Sequence, residues 1–157
     1  MTDDKTNTHR GIIRWTIEIK YGRIEHGNLI IPWMVYIHSN FDRGAGTTFS
    51  KRCILLILRI LKLALDLGMK ISVKDARTNE PCDLPQDPEK YNGYMEVIVQ
   101  IDSNGEDRES TLVELLYFIV NNSIFDRGSF IRMIKNAKTI DEIYDKFKAY
   151  KVLHGMK

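Results

Sequence analysis

Two cysteines and four histidines are the residues of this 157-residue chain best suited to act as nucleophiles, bases or metal ligands. Cys53 lies in a long apolar run, where burial would disfavour a thiolate, and Cys82 lies in a proline-rich segment with no base marked beside it. The histidines are not spaced as metal ligands: they are His9, His26, His38 and His154. The sequence therefore predicts no enzyme, no metal or cofactor site and no small-molecule substrate. The two cysteines predict free thiols in a reducing compartment.

A glycine-rich stretch, Gly44–Lys51, directly precedes a predicted helix. Its backbone amides could hold an anion at the helix N-terminus, helped by Lys51 and Arg52. The glycine spacing matches neither nucleotide-binding motif, so a flexible loop in which Ser50 caps the helix is the favoured interpretation.

Basic residues are concentrated towards the end of the chain. Residues 127–157 hold eight Lys or Arg and three acids, a net charge of +5, which leaves −3 for residues 1–126. Basic helical faces attract phosphate-rich partners and anionic lipid surfaces, although each one can also be an ordinary solvated face. The candidate residues for binding such a partner or surface are Lys51, Arg52, Arg59, Lys62, Arg132, Lys135, Lys138, Lys146, Lys148 and Lys151.

The elements that must position these residues can be read from periodicity. Ile13–Tyr21 alternates between apolar and polar residues and predicts a strand with one wet face. A turn over Gly22–Gly27 leads to a second strand, Asn28–His38, with an edge position or bulge at Pro32. Lys51–Leu67 predicts a helix that begins after Ser50, ends at Gly68 and is buried on most sides.

The second half of the chain predicts two further strands and three helices. The strands are Met69–Lys74 and Tyr94–Asp102, separated by a long proline-rich loop, Asp75–Gly93. Capping boxes at Thr111/Glu114 and Thr139/Glu142 predict the first and last of the helices, and Ser129 predicts a short helix between them. We expect one α+β domain over residues 11–157, with a mixed or antiparallel sheet packed against helices, after a disordered tail at residues 1–10.

The stretch from Tyr91 to Lys135, YNGYMEVIVQIDSNGEDRESTLVELLYFIVNNSIFDRGSFIRMIK, resembles the C-terminal half of rhabdovirus matrix proteins, particularly the compact ones of plant-infecting members. A Tyr-x-Gly turn leads into a long alternating strand, an acidic turn, and a helix that ends in an Asn-rich break before a phenylalanine. The chain departs from the family in lacking a lysine-rich N-terminal tail and a PPxY or PTAP motif.

The resemblance implies a non-enzymatic structural protein that self-associates and links the viral ribonucleoprotein to the inner face of a membrane. It places the protein in the virion and the host cytoplasm, peripheral at membranes and not secreted. We expect self-association through the proline-rich loop, on the assumption that its apolar side chains are exposed; the candidate residues are Leu84, Pro85 and Pro88.

Two other classes of function remain open at this point. A small nucleic-acid-binding regulator would use the C-terminal basic helices, with binding that weakens steeply as salt rises. An enzyme with an unrecognised site would need a pocket that joins the Gly44–Arg52 segment to the Asp75–Lys90 loop.

Overall fold

The computed structural model describes residues 12–31, 33–40, 46–84, 95–121, 128–153 and 155. Within these residues the chain forms seven strands and four helices, which confirms the α+β fold class. The strands are β1 (Ile13–Tyr21), β2 (Arg23–Glu25), β3 (Asn28–Ile31), β4 (Met34–Ser39), β5 (Thr47–Thr48), β6 (Ile71–Asp75) and β7 (Met95–Ser103). The helices are α1 (Lys51–Asp66), α2 (Arg108–Asn121), α3 (Gly128–Asn136) and α4 (Ile140–Leu153).

Five strands form an antiparallel sheet in the order β5-β4-β1-β7-β6. The strand predicted at Ile13–Tyr21 is confirmed as β1, in the middle of this sheet. Ile17 and Ile19 are completely buried beneath the helices, whereas Arg14 on the opposite face is exposed. The alternation in the sequence therefore reflects a sheet on which the described helices cover one face.

The single strand predicted over Asn28–His38 is wrong, because β3 and β4 are separate strands on either side of residues 32 and 33. Proline supplies no N–H to a ladder, although Pro32 itself lies outside the described residues. The turn predicted over Gly22–Gly27 is also too long. It shrinks to His26 and Gly27, whose φ angles of 52° and 80° suit the tight turn between β2 and β3.

Helix α1 is the centre of the core, as its nearly continuous apolar surface predicts. It contacts β4 and all three other helices. At the start of α1, the Oγ of Ser50 accepts a hydrogen bond from the Cys53 amide. At its end, Gly68 has φ 81°, and the amides of Gly68 and Met69 donate to the carbonyls of Leu65 and Ala64. Both predicted ends of the helix are thus confirmed, the second as a Schellman motif.

The segment after β6 is not a loop throughout, in contrast to the prediction for Asp75–Gly93. The Asp75 carboxylate accepts hydrogen bonds from the amides of Arg77 and Thr78, which closes a turn. The chain then returns along β6, where the Cys82 amide donates to the Val73 carbonyl. This return covers the outer edge of the sheet, and residues 85–94 lie outside the described part of the chain.

The start of α2 also differs from the prediction. The helix begins at Arg108, and the Asp107 carboxylate caps it by accepting a hydrogen bond from the Ser110 amide at 2.9 Å. The Thr111/Glu114 capping box is therefore wrong, because Asp107 supplies an acceptor one turn earlier. The Thr139 half of the second box is confirmed, since its Oγ1 accepts from the Glu142 amide at the start of α4. The Glu142 carboxylate accepts from the amide of Lys138, one residue before the cap.

Candidate basic surface and apolar groove

Five predicted cations are exposed on α3, on α4 and on the turn between them, and we call them the basic surface: Arg132, Lys135, Lys138, Lys146 and Lys148. Their helices are fixed from the opposite side by apolar residues, among them Ile134 and Ile143, which are completely buried. Among the described residues, none of the five side chains forms an ion pair. Their charges are therefore available to an external anion.

The acids of α4 offset these charges only in part. The carboxylate of Asp141 lies 2.7 Å from the guanidinium of Arg108, on α2. Glu142 accepts a hydrogen bond from the Lys138 amide at 3.3 Å and so belongs to the cap of its own helix. Asp145 is exposed on the helix surface.

Two other predicted cations join elements of the fold. The Nη2 of Arg59 donates to the Ala137 carbonyl at 2.7 Å, so this half-buried side chain ties α1 to the end of α3. The Nζ of Lys151 lies 2.6 Å from a carboxylate oxygen of Glu114 and 5.2 Å from the centre of the Phe147 ring. Because these internal contacts involve both charges, we leave Arg59 and Lys151 out of the basic surface.

The remaining cations lie along α1. The Nζ of Lys51 is 5.4 Å from the centre of the Trp33 ring. Lys51 itself lies about 12 Å from Arg59 along the helix axis. Arg52 is exposed beside it, and Lys62 is half-buried. We therefore restrict the candidate anion-binding site to the basic surface of α3 and α4.

An open apolar groove of about 520 Å3 lies between one end of the sheet and helices α2 and α4. Trp15 packs edge-on against Tyr117 at 6.3 Å, and Phe118 packs against Phe147 at 5.5 Å between ring centres. The ion pair between Glu114 and Lys151 stands at the rim. Residues from β1, β7, α2, α4 and the turn between β7 and α2 line the groove: Ile13, Trp15, Ser103, Gly105, Ser110, Val113, Glu114, Tyr117, Phe118, Asn121, Phe147 and Lys151.

The uncovered face of the sheet holds a smaller, polar depression of about 250 Å3 beside Arg14, Lys70 and Asp102. The Nε and Nη2 of Arg14 donate to the two carboxylate oxygens of Asp102 at 2.8 and 3.0 Å. This hydrogen-bonded pair lowers the pKa of Asp102 and raises that of Arg14. Because the guanidinium and the carboxylate satisfy each other, the depression offers little to an external ligand.

The surroundings of the two cysteines bear on the prediction that neither thiol is activated. Cys53 is buried, Cys82 is half-buried, and neither forms a disulfide. Burial raises the pKa of the Cys82 thiol, and the carboxylates of Asp75 and Asp83 add to this effect.

His38 pairs with Glu18 at 2.8 Å on the uncovered sheet face. Within the described ranges, no three His, Cys, Asp or Glu residues are grouped as metal ligands.

Of the three residues predicted for self-association through the proline-rich loop, the structure describes Leu84. Leu84 is half-buried and packs against the core, so the assumption that it is exposed is wrong. Pro85 and Pro88 lie outside the described residues. So does Gly44, the first residue of the glycine-rich stretch before α1. Neither of the two cavities described above is lined by residues 46–52 or 75–84.

No protein-family model, curated protein or solved structure matches this chain. None of the helices in the described part of the chain is long and apolar enough to cross a membrane.

Proposed function

We propose that this chain is a non-enzymatic structural protein of viral matrix type, which self-associates and links a nucleocapsid to an anionic membrane surface. It would act in the virion and at membranes of the host cytoplasm. The observation that carries the proposal is the basic surface, five exposed cations on two helices and the turn that joins them, without ion pairs among the described residues.

The magnitude of this attraction is sufficient for peripheral binding. Each Lys or Arg close to an anionic bilayer contributes about 1 kcal/mol, so the five cations together supply up to about 5 kcal/mol. The same side chains could release counterions from the phosphates of a nucleocapsid. Because Ile134 and Ile143 anchor α3 and α4 in the core, these charges are presented on a fixed platform.

A vesicle-binding measurement on a charge-neutralised variant tests the proposal. We expect the triple substitution Lys135→Gln, Lys146→Gln and Lys148→Gln to weaken binding to phosphatidylserine-containing vesicles about a hundredfold. All three side chains are exposed, so the variant should keep its fold.

The matched control removes three charges from the uncovered side of the sheet, with Lys20→Gln, Lys70→Gln and Lys74→Gln. This control should bind vesicles nearly as the wild type does. Equal losses in both variants would indicate that net charge alone attracts the protein, and would contradict a dedicated basic surface.

The same two variants distinguish the alternative function of a nucleic-acid-binding regulator. If wild-type protein binds naked RNA with a steep salt dependence but ignores the vesicles, and the α3–α4 variant loses the RNA, the basic surface serves nucleic acid instead. The membrane part of the proposal would then be discarded.

A further inference from the structure

The last two turns of α4 carry exposed apolar side chains on the side that faces away from the core. Val152 and Leu153 are 75% and 80% exposed, and Ala149 is exposed one turn before them. With about 100° per residue, these three positions share one side of the helix, whereas the buried Ile143 and Phe147 lie on the other. We call Ala149, Val152 and Leu153 the apolar strip. Their exposure leaves them available to a partner outside the fold.

Lysines border the apolar strip on both sides. By the same helical spacing, Lys148 lies at one border and Lys146 at the other, and both side chains are exposed. Neither forms an ion pair with the residues that the structure describes. The nearest acid on this side of α4 is Asp145, one turn before Ala149 and about two turns before Val152. Two lysines against this one acid leave the surroundings of the strip cationic, which complements an anionic surface.

The size of the strip and its lysine border distinguish between possible occupants. A specific protein–protein interface takes about 20–30 residues from each partner, far more than the strip provides. A bilayer needs no matching shape, and it takes up helix faces that have apolar residues in the middle and lysines beside them. The lysine stems can lie against hydrocarbon while the ammonium groups stay at the headgroup phosphates. These features favour an anionic bilayer over a second copy of the chain.

We infer that the apolar strip inserts into the interface of an anionic phospholipid bilayer, with Lys146 and Lys148 at the headgroups. The inference rests on the proposed function and adds to it which part of the molecule enters the membrane. The strip is too small to hold the protein on a neutral bilayer, since even a single myristoyl chain gives only marginal binding. Binding therefore still requires anionic lipid and still weakens as salt rises.

A fluorescent label at the end of the strip tests insertion directly. In a Cys82→Ser background, where the remaining Cys53 is buried, Leu153→Cys is labelled with nitrobenzoxadiazole. We expect its emission to rise and shift to the blue on binding to phosphatidylserine-containing vesicles, and to be quenched by nitroxide-labelled lipids. Phe49→Cys, labelled in the same way, is the matched control, because Phe49 is 62% exposed but lies outside the strip. Its emission should stay as in water.

A pair of variants measures how much the strip contributes to binding. We expect Val152→Ser with Leu153→Ser to weaken binding to the same vesicles roughly tenfold, because apolar area stays in water. The dependence of binding on salt should not change, since no charge is removed. Ile12→Ser with Phe49→Ser is the control, which removes two other exposed apolar side chains and should bind as the wild type does.

The possible failures are distinguishable. If the wild type binds the vesicles but the label at position 153 stays in a water-like environment, or the strip variant binds as tightly as the wild type, the inference is overturned and the proposed function stands. If the strip variant alters only the sedimentation of the protein without vesicles, the strip contacts a second copy and the inference is also overturned. If the wild type binds no vesicles, the membrane part of the proposed function fails and the inference fails with it.

Discussion

Tyr144 joins the last helix to the beginning of α2 through a single hydroxyl group. Its O–H donates to the Arg108 carbonyl at 2.8 Å. Burial raises the pKa of the phenol well above its ordinary value, although the nearby Arg108 guanidinium opposes the shift. The neutral phenol is therefore the form that acts in the folded protein.

We expect Tyr144→Phe to reduce the free energy of unfolding by about 1 kcal/mol, because it deletes this hydrogen bond and little packing. Urea denaturation measures the change. Tyr36→Phe, on the uncovered sheet face, is the matched control and should have a smaller effect. A loss no greater than that of the control would show that the hydroxyl contributes nothing.

The pair of Arg14 and Asp102 links β1 to β7 and makes stability depend on pH. The hydrogen bond from Arg14 lowers the pKa of Asp102, with burial opposing it. A lowered carboxyl pKa adds stability above the unfolded-state pKa, which is about 4, and this stability is lost as pH falls through the folded-state pKa.

We therefore expect the wild type to lose stability as pH falls below about 4, and Asp102→Asn to show a shallower loss over the same range. Arg14→Gln should make the pH dependence shallower in the same way, and the double variant should add nothing further. Denaturation curves at a series of pH values provide the comparison. Unchanged pH dependence in both single variants would contradict the role of the pair.

At the scale of elements, the start of α2 gives the sharpest contrast between sequence and structure. Both Asp107 and Thr111 are good capping residues, and only the structure shows that Asp107 accepts the Ser110 amide. We expect Asp107→Ala to cost about 1 kcal/mol of stability.

Thr111→Ala is the matched control and should change the free energy of unfolding by less than about 0.5 kcal/mol, since Thr111 lies inside the helix. Thermal or urea unfolding of the two variants decides between the caps. A larger loss in Thr111→Ala than in Asp107→Ala would restore the capping box that the sequence suggests.

Elements whose signals are local could be predicted. The period-two pattern of β1 follows from a sheet with one covered face, and the ends of α1 follow from Ser50 and Gly68. Pro32 indicates an irregularity between β3 and β4, but the apolar residues on both sides of it favour one continuous strand, so the separation into two strands could not be predicted. The return of residues 76–84 along β6 could not be predicted either. It depends on the turn at Asp75 and on contacts with the edge strand that local sequence patterns do not report.

At the scale of the whole molecule, the helices and the sheet leave two different surfaces. The uncovered sheet face carries charged and polar groups that contact one another, as do Arg14 and Asp102, and His38 and Glu18. The outer side of α3 and α4 carries the basic surface. Sequence periodicity identified these cations, but only tertiary contacts separate them from Arg59 and Lys151, which are used within the fold.

The apolar groove could not be predicted at all. Its residues come from positions as far apart as Ile13 and Lys151, and its apolar members separately resemble parts of ordinary core stripes. The groove arises because α2 and α4 leave one end of the sheet incompletely covered. It is a property of the arrangement of elements rather than of any motif.

The central claim is that the protein binds anionic surfaces through charge, and flotation with vesicles of increasing phosphatidylserine content tests it most directly. We expect no flotation with pure phosphatidylcholine, progressively tighter binding as the anionic lipid increases, and release by added salt. Equal flotation at every lipid composition, or none at the highest phosphatidylserine content, would contradict the account.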